Sequence, residues 1–229
     1  MRGFAQGAPR CILAWELHLD YETVLTRRHE WQEQTLKKVQ TRLPDRATEA
    51  DEMFQNAGEK GTPQQDEEDR PRCRANNRRG LGTMANDRPP IQGVVGRTSG
   101  QIRLTACENT QQQTIQPQVE RATSRTATVY TDESSAYNHG RDTGRAHHTV
   151  CYSHREHTRD DDGDGLREVH SNTIEGIWTG LRNFLRPFRG VHKKYLAQYV
   201  AIFQWAPNLK TITAKFLRLV MTRSISNPI

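Results

Sequence analysis

The chain has 229 residues, enough for one large domain or two small ones, and only 34% of them are hydrophobic. A mean hydropathy of −0.88 leaves long stretches for loops rather than core. No run of eighteen apolar residues can make a transmembrane helix, the N-terminal MRGFAQGAPRCILAW has no signal-peptide h-region, and the widely spaced Cys11, Cys73, Cys107 and Cys151 predict a reduced, cytosolic chain.

Residues 11–40 predict two helices, with Leu13, Leu17, Val24 and Leu25 as apolar positions. The break at His18-Leu19-Asp20 separates them, and Asp20 is the candidate N-cap of the second. A helix, a short turn and a helix carrying Arg27, Arg28 and His29 is similar to the end of a helix-turn-helix, although many helical hairpins share that pattern. Residues 47–54 (ATEADEMF) predict a strand of thin apolar content. Residues 55–90 are rich in Gly, Pro, Asn and charge, which predicts a long loop insertion.

The period then changes. IQGVVGR (91–97) and QIRLTAC (101–107) flank Thr98-Ser99-Gly100, a hairpin signal. Residues 110–122 predict a helix with Ile115 and Val119 on one side, limited by Pro117. ATVYTD (127–132) and HHTVCY (147–152) predict short strands, and RDDDGDG (159–165) an acidic turn. A helix over about 172–185 follows, then Pro187, then a last helix over 195–206 with Leu196, Tyr199, Val200 and Phe203 at helical spacing. This order predicts a mixed α/β sheet with helices packed on it.

Charge is unevenly placed. From Leu166 to Ile229 ten Lys/Arg stand against two acids, a net +8 in a chain of net +6, so the remainder carries −2. The C-terminal part is the candidate polyanion surface, and a merely solvated basic face is the competing reading.

Three carboxylates fall at element ends: Asp51 in the first strand, Asp132 closing ATVYTD, and Glu175 opening the helix after the acidic turn. Two divalent ions about 3.5–4 Å apart need several shared carboxylate oxygens, and an all-oxygen set suits Mg²⁺ or Mn²⁺. Each acid also has a plainer reading. Asn172-Thr173-Ile174-Glu175 fits an N-cap followed three residues later by Glu, close to a capping box, and residue types alone favour that. Arg182 lies seven residues beyond Glu175, on the same face of a helix. Ile174, Trp178, Leu181 and Leu185 form an apolar stripe, which favours a core Trp178 over one that stacks a flipped base.

From Ala50 onward the chain resembles the ISXO2-like transposases, the IS1595 group of bacterial insertion sequences. The resemblance rests on ADEMFQNAGEKG (50–61), RGLGTMANDRPPIQGVVGR (79–97), VYTDESSAYNH (129–139) and the long block 160–201 that contains HSNTIEGIWTGLRNFLRPFRGVHKKYLAQYVA. It implies a ribonuclease-H-like fold and DDE recombinase chemistry. Asp51, Asp132 and Glu175 then match the catalytic acids, holding two Mg²⁺ or Mn²⁺ ions, with Asn172 as the alternative third ligand. Arg182 matches the basic residue that follows the third acid. Arg186, Arg189, Lys193 and Lys194, with Arg27 and Arg28 of the N-terminal helices, are the implied DNA-binding residues.

The implied partners are transposon ends and target DNA, bound by a homodimer or a higher synaptic oligomer, with no membrane. The implied setting is the bacterial cytoplasm and nucleoid. The implied layout is a partial helix-turn-helix over 1–45, a ribonuclease-H-like domain over 46–210 and a tail over 211–229. Relatives carry a Cys-rich zinc ribbon ahead of the helix-turn-helix. No CxxC occurs here, so an N-terminally truncated copy without zinc is expected. Tyr152 also stands where the family tends to show His. A catalytically dead remnant that only binds DNA is the alternative, and a junction nuclease on the same fold a third reading.

Two further patterns carry less. His147, His148, Cys151, His154 and His157 are loosely spaced for zinc. Asp160, Asp162, Asp164 and Gly165 imitate an EF-hand opening, but Ser171 stands where its bidentate Glu belongs.

Overall fold

The computed structural model describes residues 2–38, 42–59, 81–133, 137, 145–150, 158–161, 163, 165 and 167–209. Three helices open the chain: α1 (Arg2–Ala5), α2 (Arg10–Leu17) and α3 (Tyr21–Lys37). Asp20 caps α3 as its residue type predicts, with Oδ1 accepting from the backbone N–H of Glu22 at 3.0 Å and of Thr23 at 2.9 Å. His18 ends α2 in the left-handed region, which makes the tight turn between the two helices.

The strands are β1 (Ala47–Phe54), β2 (Pro90–Gly96), β3 (Ile102–Ala106), β4 (Thr128–Asp132) and β5 (His147–Val150). They form one sheet in the order β3-β2-β1-β4-β5. β1, β2 and β3 pair antiparallel, while β4 runs parallel to β1 and β5 parallel to β4. The weakest predicted strand, β1, is thus the centre of the sheet. Its alternation explains this: Ala50 faces one core and Met53 the other, and Glu49 and Asp51 are matched by donors from other elements.

The hairpin turns at Thr98-Ser99-Gly100, with Gly100 at φ +67°. Buried Asp45 fastens that turn by accepting from Thr98 N at 2.9 Å and Ser99 N at 2.8 Å.

Among the described residues the remaining helices are α4 (Gln112–Ala122), α5 (Asn172–Leu185) and α6 (Lys193–Leu209), with a 3₁₀ turn at Arg186–Phe188. Two cores result. On one face of the sheet, Met53, Ile91, Val95, Ile102 and Leu104 meet Ile174, Trp178, Leu181 and Leu185 of α5 and Leu196, Tyr199 and Val200 of α6. On the other, Ala50, Val94, Cys107 and Val129 meet Ile115, Val119 and Ala122 of α4, together with Tyr137.

β3 is an edge strand, and α6 covers its exposed amides. Gln204 Oε1 accepts from Leu104 N at 2.6 Å, and Asn208 Oδ1 accepts from Ile102 N at 2.6 Å. α3 packs on α6, so the N-terminal helices rest on the helical side of the domain. Among the described residues no helix is long and apolar enough to cross a membrane. The predicted tail (211–229), Cys73, Cys151, Tyr152, His154, His157, Asp162, Asp164 and most of the 55–90 insertion lie outside the described residues.

Candidate catalytic site and its surroundings

The site begins with strand register. β1 and β4 are parallel, with Thr48 beside Val129 and Glu49 beside Tyr130. Two residues further on, that register brings Asp51 beside Asp132. Asp132 is the last residue of β4, and Asp51 lies on the face of β1 that α5 covers. Backbone geometry therefore brings together two carboxylates 81 positions apart in sequence.

Helix α5 supplies the third. Trp178 Nε1 donates to Asp51 Oδ2 at 2.7 Å. Glu175 precedes Trp178 by three residues, close to one helical turn, so it lies on the Asp51 side of the helix. The indole reaches β1 by crossing Gly93, the β2 partner of Asp51; a methyl group there would collide with Trp178 Cη2. With 3% of its surface exposed, Trp178 is a core residue and stacks no base. The predicted apolar stripe was right, but its polar end also holds a candidate acid.

The capping-box reading of Glu175 does not survive. The helix starts at Asn172 and its N-cap is Ser171, whose side chain makes no capping bond. Glu175 thus sits one residue too late for a capping box. The first-turn donors go instead to Glu49 of β1. Its Oε2 accepts from Ile174 N at 3.0 Å and its Oε1 from Thr173 Oγ1 at 2.8 Å. Glu49 is 0% exposed and is paired with Arg97, whose Nε lies 2.8 Å from Oε1. His170 Nδ1 is 3.3 Å from the same oxygen. The Arg97 guanidinium also donates to the carbonyls of Glu168 (2.5 Å) and His170 (2.6 Å) and stacks 3.8 Å over the Tyr130 ring. Glu49 and Arg97 escaped the sequence reading; the signal was a Glu-x-Asp at period two in β1, which puts both acids on one face.

Electrostatics ties the three candidates together. Burial pushes Asp51 up to about 6; the Trp178 indole and the Glu52 amide pull it down, and the charges of Asp132 and Glu175 push it up. Glu52 points to the opposite core. Burial, and to a lesser degree Asp51 and Asp132, raise it to about 7 against the pull of the Tyr137 phenol. Among the described residues no three His, Cys, Asp or Glu side chains are gathered tightly enough to hold an ion as they stand. The donor chemistry nonetheless suits a hard cation: Asp51, Asp132 and Glu175 offer only oxygens, and a cation is the natural complement to their repulsion. Asn172, the alternative ligand, is exposed at the first helical position.

The predicted basic residues divide. Arg182, Arg186, Arg189 and Lys194 are exposed on and after α5. Arg27 is exposed and pairs with Glu30 at 2.9 Å. Lys193 Nζ is held by Glu59 at 2.8 Å and Asp87 at 3.1 Å, where it joins α6 to the two described ends of the 55–90 stretch. Arg28 corrects the expectation. It is 2% exposed, donates to the Ala8 carbonyl, and lies over the rings of Phe4 and Phe188. A guanidinium so enclosed binds the helices together and offers no charge to DNA.

Parts of the two weak patterns lie within the described residues. His147 Nε2 and Thr131 Oγ1 are hydrogen-bonded at 2.8 Å, while His148 Nδ1 bonds Asp161 Oδ2 at 2.8 Å, so the neighbouring histidines serve different partners. The carboxylate of Asp160 accepts from Gly163 N and Gly165 N, which closes the acidic turn on itself.

A five-stranded mixed sheet in the order β3-β2-β1-β4-β5, with helices packed on it, defines an α/β domain. The chain belongs to the ISXO2-like transposase family, whose domain matches residues 48–208. It is 29% identical over 193 residues to an uncharacterized protein in transposable element ISH50 of Halobacterium salinarum, covering 82% of this chain and 60% of that protein. The chain therefore spans about 60% of the length of this curated relative. A chain in the structure of the simian T-cell lymphotropic virus intasome with PP2A regulatory subunit B56 gamma is similar at a TM-score of 0.40 and 13% identity, over 80% of this chain and 56% of that one.

Proposed function

We propose that this domain is a DDE transposase that cuts DNA at the ends of a mobile element and joins the released 3′-hydroxyl to target DNA. The observation that carries the reading is the junction of β1, β4 and α5, where Asp51 feels the charges of Asp132 and Glu175 and is bonded to the helix that bears Glu175. Asp51, Asp132 and Glu175 would hold two Mg²⁺ or Mn²⁺ ions, with Asn172 as the alternative third ligand. Such ions, when bound, supply Lewis acidity to an in-line phosphodiester displacement.

The chain's own residues orient and bind. The Trp178 indole fixes one Asp51 oxygen and leaves the other for a cation. Arg182, one face and two turns beyond Glu175, would contact a phosphate near the cut. Arg186, Arg189 and Lys194 would follow the backbone, which makes affinity fall as salt rises. Two element ends must be held at once, so a homodimer or higher synaptic oligomer is part of the proposal.

A strand-transfer assay with labelled element ends, target plasmid and Mg²⁺ or Mn²⁺ tests it. The parent should form joined product, and Asp132→Ala and Glu175→Gln should each lose on the order of 10³-fold or more. Equal activity in parent and variants would overturn the assignment. Salt-sensitive DNA retention by the parent with no cutting would establish the binding-only remnant instead.

A further inference from the structure

We propose that Glu49 is a positioning residue of this site: it grips the first turn of α5 and so sets where Glu175 stands relative to Asp51. The inference rests on the assignment of Glu175 above and deepens it.

The geometry is a two-point clamp. Glu49 and Asp51 lie on one face of β1, two residues and about 6.6 Å apart. Ile174 and Trp178 lie on one side of α5, four residues and about 6 Å apart. Glu49 Oε2 takes Ile174 N at 3.0 Å, and Asp51 Oδ2 takes Trp178 Nε1 at 2.7 Å. Matched spacings let both bonds form without bending either element. Glu175 lies between the two grips, so neither sliding nor rotation of the helix can move it while both hold.

Glu49 is itself fixed. Arg97 Nε lies at 2.8 Å, and Thr173 Oγ1 donates to the same oxygen at 2.8 Å. Its charge also faces the N-terminal end of the helix, where a carboxylate is favoured by the helix dipole. A buried carboxylate used only for stability would have no need to sit on the same strand face as Asp51 and bind the residue next to Glu175. The arrangement links the first and third acids through one strand and one helix, while Asp132 is set separately by sheet register.

Glu49→Gln is the test, because the amide keeps the shape but has one acceptor oxygen, so its NH2 must face either Ile174 N–H or Arg97 Nε–H and one grip is lost. Three readings are taken on the full chain. The Trp178 indole N–H resonance, assigned with Trp178→Phe, should shift, because the second grip feels the loss of the first. Amide exchange at Ile174 should speed up by about tenfold or more relative to α6 amides. Mn²⁺ affinity, read by paramagnetic resonance without DNA, should weaken by about tenfold, and strand transfer should fall in kcat with KM for DNA unchanged.

An unchanged indole resonance and unchanged Mn²⁺ affinity, with only a lower Tm, would overturn the inference and leave Glu49 a stabilising residue. A shifted indole resonance and faster Ile174 exchange in Glu49→Gln, beside a parent that never joins DNA, would keep the clamp and sink the catalytic reading. Thr173→Ser, which keeps its bond, serves as the conservative control and should match the parent in all readings.

Discussion

The two faces of β1 treat their carboxylates differently. On the α5 face, Glu49 and Asp51 are each met by donors: Arg97, Thr173 and Ile174 N for the first, the Trp178 indole for the second. On the α4 face, half-buried Glu52 lies against Cys107 and the Tyr137 phenol, its Oε1 lacks a hydrogen-bond partner, and burial outweighs the pull of that phenol. One strand thus carries acids whose orientation is dictated and one whose charge is opposed. Directed donors can position a group for chemistry, whereas apolar burial alone only makes the charge costly. The proposed catalytic reading places its acids on the α5 face, the one with the directed donors.

The comparison breaks most severely at Arg97. Arg97→Met would remove the counter-charge from a carboxylate with 0% exposure, along with the bonds to the Glu168 and His170 carbonyls. Urea unfolding should show a loss of about 3–5 kcal/mol, and adding Glu49→Leu should return part of it. A loss below 1 kcal/mol would mean that the α5 face is no better organised than its opposite.

Glu52 tests the other face through pH. Its folded pKa, about 7, lies above the ordinary 4.5, so the folded state binds the proton more tightly than the unfolded state. The stabilising contribution of that proton is complete below about 4.5 and is lost as pH rises through about 7; Asp51 acts in the same direction between 3.8 and about 6. Glu52→Gln should therefore resemble the parent at pH 5 and exceed it at pH 8 by roughly 3 kcal/mol in EDTA. Parallel pH profiles for parent and variant would show that Glu52 is not opposed as described.

Much of this was legible from residues alone, and what was not has a physical cause. Every strand was visible because alternation and turn residues are local signals, and even thin β1 matched its predicted ends, 47–54. The helix at 172–185 was legible from its apolar stripe. What hid was long-range. The capping of α5 by Glu49 joins residues 125 positions apart, so local pattern favoured Glu175 as the cap. Arg28 read as a surface cation because charge predicts exposure, and the Phe4 and Phe188 rings that enclose it lie far away in sequence. The partners of Lys193, Glu59 and Asp87, lie within the 55–90 stretch, more than a hundred positions away, and were equally invisible to local pattern. The family resemblance supplied the three acids, whereas the bond from Trp178 to Asp51 came only from the folded chain.

The smallest expected effect is the finest test of how the α5 face works. Thr173→Val keeps the shape of the side chain and deletes one donor to Glu49 Oε1. That oxygen still accepts from Arg97 Nε at 2.8 Å, and Oε2 still accepts from Ile174 N at 3.0 Å, so no acceptor is orphaned. The cost should then be that of one hydrogen bond to a charged group, about 1–2 kcal/mol by urea unfolding, with strand transfer retained. A loss as large as that of Arg97→Met would show that the donors act as one cooperative unit in which no bond is redundant. A loss near zero would place the grip on α5 in Ile174 N alone. Either deviation changes which atom of Glu49 orients the helix, and the size of the effect distinguishes them because each Glu49 oxygen has its own helix donor.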